Sequence, residues 1–134
     1  MTVKEGSMQQ KGTKAGKGLV FFLDANIGMT NTYIDFLGRR GYEVEAMSDP
    51  DKALDFIGEH SPKIIFFNYL ANPMGAERFF REAKKLSPQS VFILHTGYHQ
   101  HLIHDKMTDL GVERIIYKPA SLRLILATIQ EYVF

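Results

Sequence analysis

Short apolar runs alternate with stretches of helical periodicity along most of this chain. Four runs rich in β-branched and aromatic residues have the length of buried strands. Residues 42–46 alternate apolar and polar positions, as expected for a strand with one solvent-exposed face. The runs occupy residues 19–23, 63–68, 91–95 and 114–117. Between them, apolar residues recur every three or four positions, which predicts helices over residues 30–40, 50–60, 76–86, 99–110 and 122–133.

Local signals at the helix ends support this division. Ser48 or Asp49 is placed to cap the second helix, and Pro50 suits its first position. Ser121 is placed to cap the last helix, in which Leu124 lies off the inward stripe. Two inward faces are predicted in full: Phe79, Ala83 and Leu86 in the third helix, and Leu122, Ile125, Leu126, Ile129 and Val133 in the fifth.

Strands that alternate with helices predict a parallel sheet covered by helices on both faces. With right-handed crossovers, five strands in 134 residues favour a three-layer (βα)5 domain with the flavodoxin-like strand order 2-1-3-4-5. We expect one domain over residues 19–134 and a disordered basic tail over residues 1–18, which contain four lysines and almost no apolar residues.

Composition excludes several classes of function. A net charge of +1 gives no strong field toward nucleic acid or anionic lipid. The absence of Cys excludes disulfides and thiolate zinc sites. No run approaches the roughly 20 apolar residues that cross a bilayer, and the N-terminus lacks the apolar segment of a signal peptide. These features predict a cytoplasmic protein.

Polar residues collect where the predicted strands end. In parallel α/β sheets, the carboxyl ends of the strands carry the functional site. The residues at these positions are Asp24, Ala25 and Asn26 after the first strand, Asn68 after the third, His95-Thr96 at the fourth and Lys118-Pro119 after the fifth.

Three segments of the chain resemble the response-regulator receiver domain, the CheY-like family. They are GYEVEAMSDPDKALDFIGEHSPKIIFFN, SPQSVFILHTGYH and DLGVERIIYKPASL, and the likeness extends from about Gly18 to Phe134. Each motif alone is weak, but their order and spacing are specific. The resemblance implies a CheY-like fold and a part in two-component phosphorelay signalling, in which a histidine kinase phosphorylates an Asp at the end of the third strand.

The resemblance assigns positions residue by residue. Asn68 stands where the family has its phosphorylated Asp, Asp24 matches the first acid of the Mg²⁺-binding pair, and Ala25 replaces the second acid. Thr96 and Lys118 match the residues that hold the phosphoryl oxygens. Two further positions follow from it: Ile115 replaces a switching aromatic residue and should be fixed in one conformation, and the Lys118–Pro119 bond should be cis.

These departures predict a pseudo-receiver that has given up phosphorylation. The amide of Asn68 is a poor nucleophile, and the carbonyls of Asn68 and Asn26 would be weak Mg²⁺ ligands, so we expect Mg²⁺ binding to be weak or absent and no cofactor. We expect no enzymatic activity. The expected function is contact with a protein partner through the face formed by the fourth helix, fifth strand and fifth helix. The partner could be a second copy of this chain, which would form a homodimer.

Three alternatives remain open at this point. The chain could be an active receiver with a non-standard acceptor, or a flavodoxin-like binder of small ligands that uses Thr96, Lys118 and the loop 69–75. The four histidines His95, His99, His101 and His104 could form a metal site, although a solvated helix surface is the simpler interpretation.

Overall fold

The computed structural model describes residues 18–69 and 74–133, and all of the expected tail except Gly18 lies outside the described residues. Five strands alternate with five helices, as predicted. The strands are β1 (Leu19–Leu23), β2 (Glu43–Met47), β3 (Ile64–Phe67), β4 (Val91–Thr96) and β5 (Arg114–Tyr117). The helices are α1 (Ile27–Gly38), α2 (Pro50–His60), α3 (Ala76–Leu86), α4 (His101–Leu110) and α5 (Leu122–Tyr132).

The five strands form one parallel sheet in the order β2-β1-β3-β4-β5, which confirms the predicted fold class. The register aligns the carboxyl ends of neighbouring strands. Leu23 at the end of β1 pairs with Met47 of β2 and with Phe67 of β3, and Thr96 at the end of β4 pairs with Tyr117 of β5. Residues that follow these ends therefore meet at one edge of the sheet.

Each face of the sheet has its own apolar core because successive side chains of a strand point to opposite faces. Phe21 and Leu23 of β1 pack on the side of α2, α3 and α4, whereas Val20 and Phe22 pack on the side of α1 and α5. This two-sided burial explains why the central strands consist of continuous apolar runs rather than alternating ones.

Several boundaries differ from the prediction by one to three residues. Helix α1 begins at Ile27 because the side chain of Asn26 caps it, and α4 begins two residues later than expected. The expected caps of the other helices are present: the side chain of Asp49 accepts a hydrogen bond from Asp51 N, and that of Ser121 accepts one from Leu124 N.

The predicted inward face of α3 was wrong at its end. Leu86 is 47% exposed, while Ala76 and Phe80 join Phe79 and Ala83 in the core. Leu86 instead covers the glycine of α2, since a Cβ at Gly58 would lie 3.5 Å from Leu86 Cδ2. The inward stripe predicted for α5 is buried or half-buried at all five positions. None of the helices in residues 18–69 and 74–133 combines the length and apolar character needed to cross a bilayer.

Candidate functional site

The polar residues at the carboxyl edge of the sheet are held there by backbone hydrogen bonds that continue the strand ladder. Asp24 N donates to Met47 O at 3.0 Å, and Asn68 N donates to Leu23 O at 3.2 Å. Lys118 N donates to Thr96 O at 2.8 Å. These bonds bring the residues that follow β1, β3, β4 and β5 into one strand-end pocket, which we define by Asp24, Asn68, Thr96 and Lys118.

An ion pair occupies the charged part of this pocket. Lys118 Nζ donates to Asp24 Oδ2 at 2.7 Å, and the two side chains are only 22% and 5% exposed. The other carboxylate oxygen, Oδ1, accepts a hydrogen bond from Asn26 N at 3.0 Å. Both oxygens of Asp24 are therefore engaged by groups of the chain itself. The Lys118–Pro119 peptide bond is cis, as predicted.

Asn26 has a different role from the one expected. Its Oδ1 accepts a hydrogen bond from Met29 N at 3.0 Å and so caps α1, rather than offering a ligand to the pocket. Asn is among the preferred residues at helix N-caps, because its side chain satisfies an otherwise unpaired backbone N–H of the first turn. A helix start at residue 27 would have made Asn26 a candidate cap, but an Asn side chain at that position could also face the pocket.

The remaining pocket positions carry no formal charge. Asn68 is half-buried at the exit of β3, and Ala25 is exposed beside Asp24. Thr96 is fully buried, and its Oγ1 accepts a hydrogen bond from Tyr98 N at 3.0 Å. The hydroxyl of Thr96 thus closes the turn that follows β4. Asp24 is the one carboxylate among these strand-end positions.

His95 lies directly beneath the pocket, on the side of α1 and α5. It is 2% exposed, and its Nε2 has no hydrogen-bond partner among the residues that the structure describes. The rings of Tyr33 and Phe66 lie 5.9 and 6.4 Å from its ring. Burial lowers the pKa of His95 to about 4, helped by the positive charge of Lys118 and opposed by Asp24. The expectation that His95 belongs to a solvated surface was wrong, because it is the inward residue of a buried strand.

The other three histidines of the candidate metal cluster are exposed and separated from His95. His99 stacks on Tyr117 with ring centroids 4.4 Å apart, and His104 Nδ1 lies 3.5 Å from Asp105 Oδ1. In the part of the chain that the structure describes, no group of three or more His, Asp or Glu residues is arranged to hold a metal ion. The metal alternative therefore has no site in the described residues.

Ile115, which the resemblance places at a switching position, is half-buried and packs against the core on the side of α2, α3 and α4. Its neighbour Ile116 points to the opposite core, as strand geometry requires. The prediction that Ile115 keeps a single conformation stays a prediction.

The fold matches a class of solved structures. A response regulator receiver domain protein (CheY-like) from Methanospirillum hungatei aligns with a TM-score of 0.79 at 24% identity, covering 84% of this chain and 90% of the other. A response regulator receiver domain protein from Clostridium thermocellum aligns with a TM-score of 0.77 at 18% identity, covering 85% of this chain and 92% of the other.

A third match contains the group that the family transfers. It is a response regulator protein from Burkholderia pseudomallei with a phosphorylated aspartic acid, a calcium ion and citrate, with a TM-score of 0.76 at 24% identity. The alignment covers 81% of this chain and 64% of that one. No protein-family model and no curated protein sequence matches the chain. The chain therefore has the fold of response-regulator receiver domains.

Proposed function

We propose that this protein is a receiver-like signalling module of a two-component system that works without phosphorylation, through contact with a protein partner. The main observation in support of the proposal is that both carboxylate oxygens of Asp24 already have partners within the chain. The one carboxylate of the strand-end pocket is bound to Lys118 Nζ and Asn26 N, and the residue at the acceptor position is an amide, Asn68.

The chemistry of an acyl phosphate requires a carboxylate nucleophile. Asn68 lies at the exit of β3, where the resembling family has its acceptor Asp, and its amide is neutral and weakly nucleophilic. A receiver with a different acceptor would need another carboxylate in this pocket, and Asp24 is already committed to Lys118 at 2.7 Å. These facts favour loss of phosphoryl transfer over transfer to a non-standard acceptor.

Mg²⁺ binding is disfavoured for a related reason. Mg²⁺ needs hard oxygen ligands in near-octahedral geometry and usually binds through one or two carboxylates. Ala25 offers no side-chain ligand, and the side chain of Asn26 is used as a helix cap. A metal ion would have to share Asp24 with the positive charge of Lys118 and would gain a single charged ligand in return. Since phosphoryl transfer relies on charge neutralisation by the metal, the pocket lacks two parts of that machinery.

Acetyl phosphate with Mg²⁺ tests this proposal, because it can phosphorylate an acceptor carboxylate without a kinase. We expect intact-protein mass spectrometry to show no phosphoryl adduct on the wild-type chain or on Asn68→Asp alone, which still lacks the ligand at residue 25. The double variant Ala25→Asp with Asn68→Asp should acquire a labile adduct. A phosphoryl adduct on the wild-type protein would overturn the proposal.

The proposed partner surface is formed by α4, β5 and α5, the face that the resemblance implies. Three apolar side chains on or beside these elements are exposed: Leu102 is 82%, Tyr98 41% and Leu124 42% exposed. The stacked rings of His99 and Tyr117 lie at the same edge. Exposed aromatic and apolar side chains of this kind are enriched at protein interfaces. We place this contact in the cytoplasm and assign the protein no enzymatic activity.

A homodimer is the form of this contact that can be tested without knowledge of another partner. Sedimentation velocity should show self-association of the wild type that Leu102→Glu abolishes, because a charge in the centre of an apolar interface is costly. Leu86→Glu is the matched control, since Leu86 is also exposed but lies on α3. A wild type that is monomeric throughout, or equal effects of the two variants, would exclude the homodimer through this face.

A further inference from the structure

A groove of about 880 Å³ runs along α3. It borders the strand-end pocket at Tyr69, whose ring lies 5.9 Å from that of Tyr98. Its wall is mostly apolar and includes Tyr69, Met74, Phe80 and Leu110. These residues come from the exit of β3, the start of α3 and the end of α4. Residues 70–73 lie outside the described residues. The volume falls in the range of pockets that hold small organic ligands.

The rim of the groove carries more positive than negative charge. Helix α3 contributes four cations to it, Arg78, Arg81, Lys84 and Lys85, and two acids, Glu77 and Glu82. The whole chain, by contrast, has a net charge of only +1. The excess of positive charge is therefore a local property of this helix.

The ion pairs of the rim leave part of this charge unbalanced. Glu77 accepts from Arg81 at 2.9 Å and also from Lys106 of α4 at 2.9 Å, so one carboxylate is shared by two cations. The pKa of Glu77 is lowered mainly by its hydrogen bond to Lys106. Lys84 has no carboxylate within ion-pair distance in the described residues, and its ammonium lies 5.4 Å from the ring centre of Phe92.

We infer that this groove binds a small amphipathic anion: an organic molecule with an apolar body and one carboxylate, sulfonate or phosphate group. The apolar body would lie against Tyr69, Met74 and Leu110. The acidic group would be held by Lys84 and Arg81, which lie one turn apart on the same side of α3. An anion placed there complements the charge that Glu77 leaves unbalanced, whereas a neutral or cationic ligand would not.

Anilinonaphthalene sulfonate is a suitable probe, because it combines an aromatic body with one sulfonate, and the chain has no Trp to interfere with its fluorescence. We expect saturable binding to the wild-type chain. The amide resonances that shift in two-dimensional NMR spectra should be those of groove residues, such as Met74, Phe80 and Leu110. Shifts centred instead on Leu102 and Leu124 would place the probe on the partner face and overturn the inference.

Charge variants test the proposed anion contact. The double variant Arg81→Gln with Lys84→Gln should weaken binding of the sulfonate about tenfold, as expected for the loss of two solvent-exposed charge contacts. Binding of the uncharged analogue phenylnaphthylamine should stay unchanged. The matched control is Arg39→Gln with Lys52→Gln: Arg39 forms an exposed ion pair with Asp35 at the same spacing as Arg81 with Glu77. Equal losses in the two double variants would show that only net charge matters and would refute the site.

Discussion

The strand-end pocket and the α3 groove both contain charged side chains, but they differ in how those charges are balanced. In the pocket, one acid and one amine are paired at 2.7 Å, and the second oxygen of the acid is bound by a backbone N–H. In the groove, four cations face two acids, and one of those acids is shared with a further lysine from α4. The charges of the pocket therefore balance each other, whereas the groove has an excess of positive charge that favours an anion.

This difference in charge balance determines how each region should respond to a ligand. Asp24, Thr96 and Lys118 lie together at the strand ends, but a site whose polar groups already bind one another gains little from a new ligand. On α3, by contrast, Lys84 has no carboxylate partner within the described part of the chain. We expect perturbations of the pocket to change stability strongly and perturbations of the groove to change it little.

The largest effect is expected from His95 beneath the pocket. The unfolded chain binds a proton at this residue near pH 6.5, whereas the folded protein resists protonation until the pH nears about 4. The stability associated with neutral His95 is therefore complete above pH 6.5 and is lost as the pH falls toward 4. The full loss is about 3 kcal/mol in the free energy of unfolding.

Urea unfolding of the wild type and of His95→Leu isolates this contribution. The measurements should extend from about pH 7.5 to about pH 4, so that they include the pKa of His95 in the unfolded and in the folded chain. The variant should be at least as stable at neutral pH, because Nε2 has no partner to lose. It should also lose less stability on acidification. The control His101→Leu, at an exposed position, should follow the wild type. Parallel pH profiles of His95→Leu and the wild type would contradict this account.

The second effect concerns the Asp24–Lys118 pair. Asp24→Asn removes the charge that balances a partly buried lysine, and we expect a loss of about 2 to 3 kcal/mol, at or just below the low end for a broken buried pair. Asp35→Asn is the matched control, because its pair with Arg39 is 67% and 75% exposed and should contribute less than about 0.5 kcal/mol. Equal losses in urea unfolding would show that the pocket pair behaves like a surface pair.

The smallest change in stability is expected in the groove. Arg81→Gln with Lys84→Gln removes one exposed ion pair and one lysine without a carboxylate partner, so the free energy of unfolding should change by less than about 0.5 kcal/mol. Thermal unfolding by circular dichroism measures this directly. A loss as large as that of Asp24→Asn would mean that the rim charges support the fold rather than a ligand.

Much of the architecture was predictable because strand and helix periods are visible in the sequence. The apolar run at residues 63–68 has the character of a central strand, and the two-sided core explains it. The end of α3 was less predictable: Leu86 continues the apolar period, yet it lies at the last turn, where it covers Gly58 instead of entering the core. A period identifies the face of a helix but not the depth of each residue.

The site was predictable in position and less so in contacts. The sequence places Asp24, Asn68 and Lys118 at strand ends, and parallel register brings them together. It does not reveal whether Asn26 faces the pocket or caps α1, since an Asn side chain suits both roles. The groove was missed because it depends on how α3 and α4 sit beside each other, which no local pattern specifies.

The central claim, that the pocket no longer supports phosphoryl chemistry, is tested most directly by the melting temperature with Mg²⁺ and beryllofluoride, a phosphoryl mimic. A ligand that binds only the folded state raises stability by RT ln(1 + [L]/Kd). The positive control is Ala25→Asp with Asn68→Asp, which should be destabilised without the ion, because three carboxylates then surround Lys118, and stabilised by it. The account predicts no shift for the wild-type protein at millimolar Mg²⁺ with the mimic. A clear Mg²⁺-dependent rise in the wild-type melting temperature would contradict it.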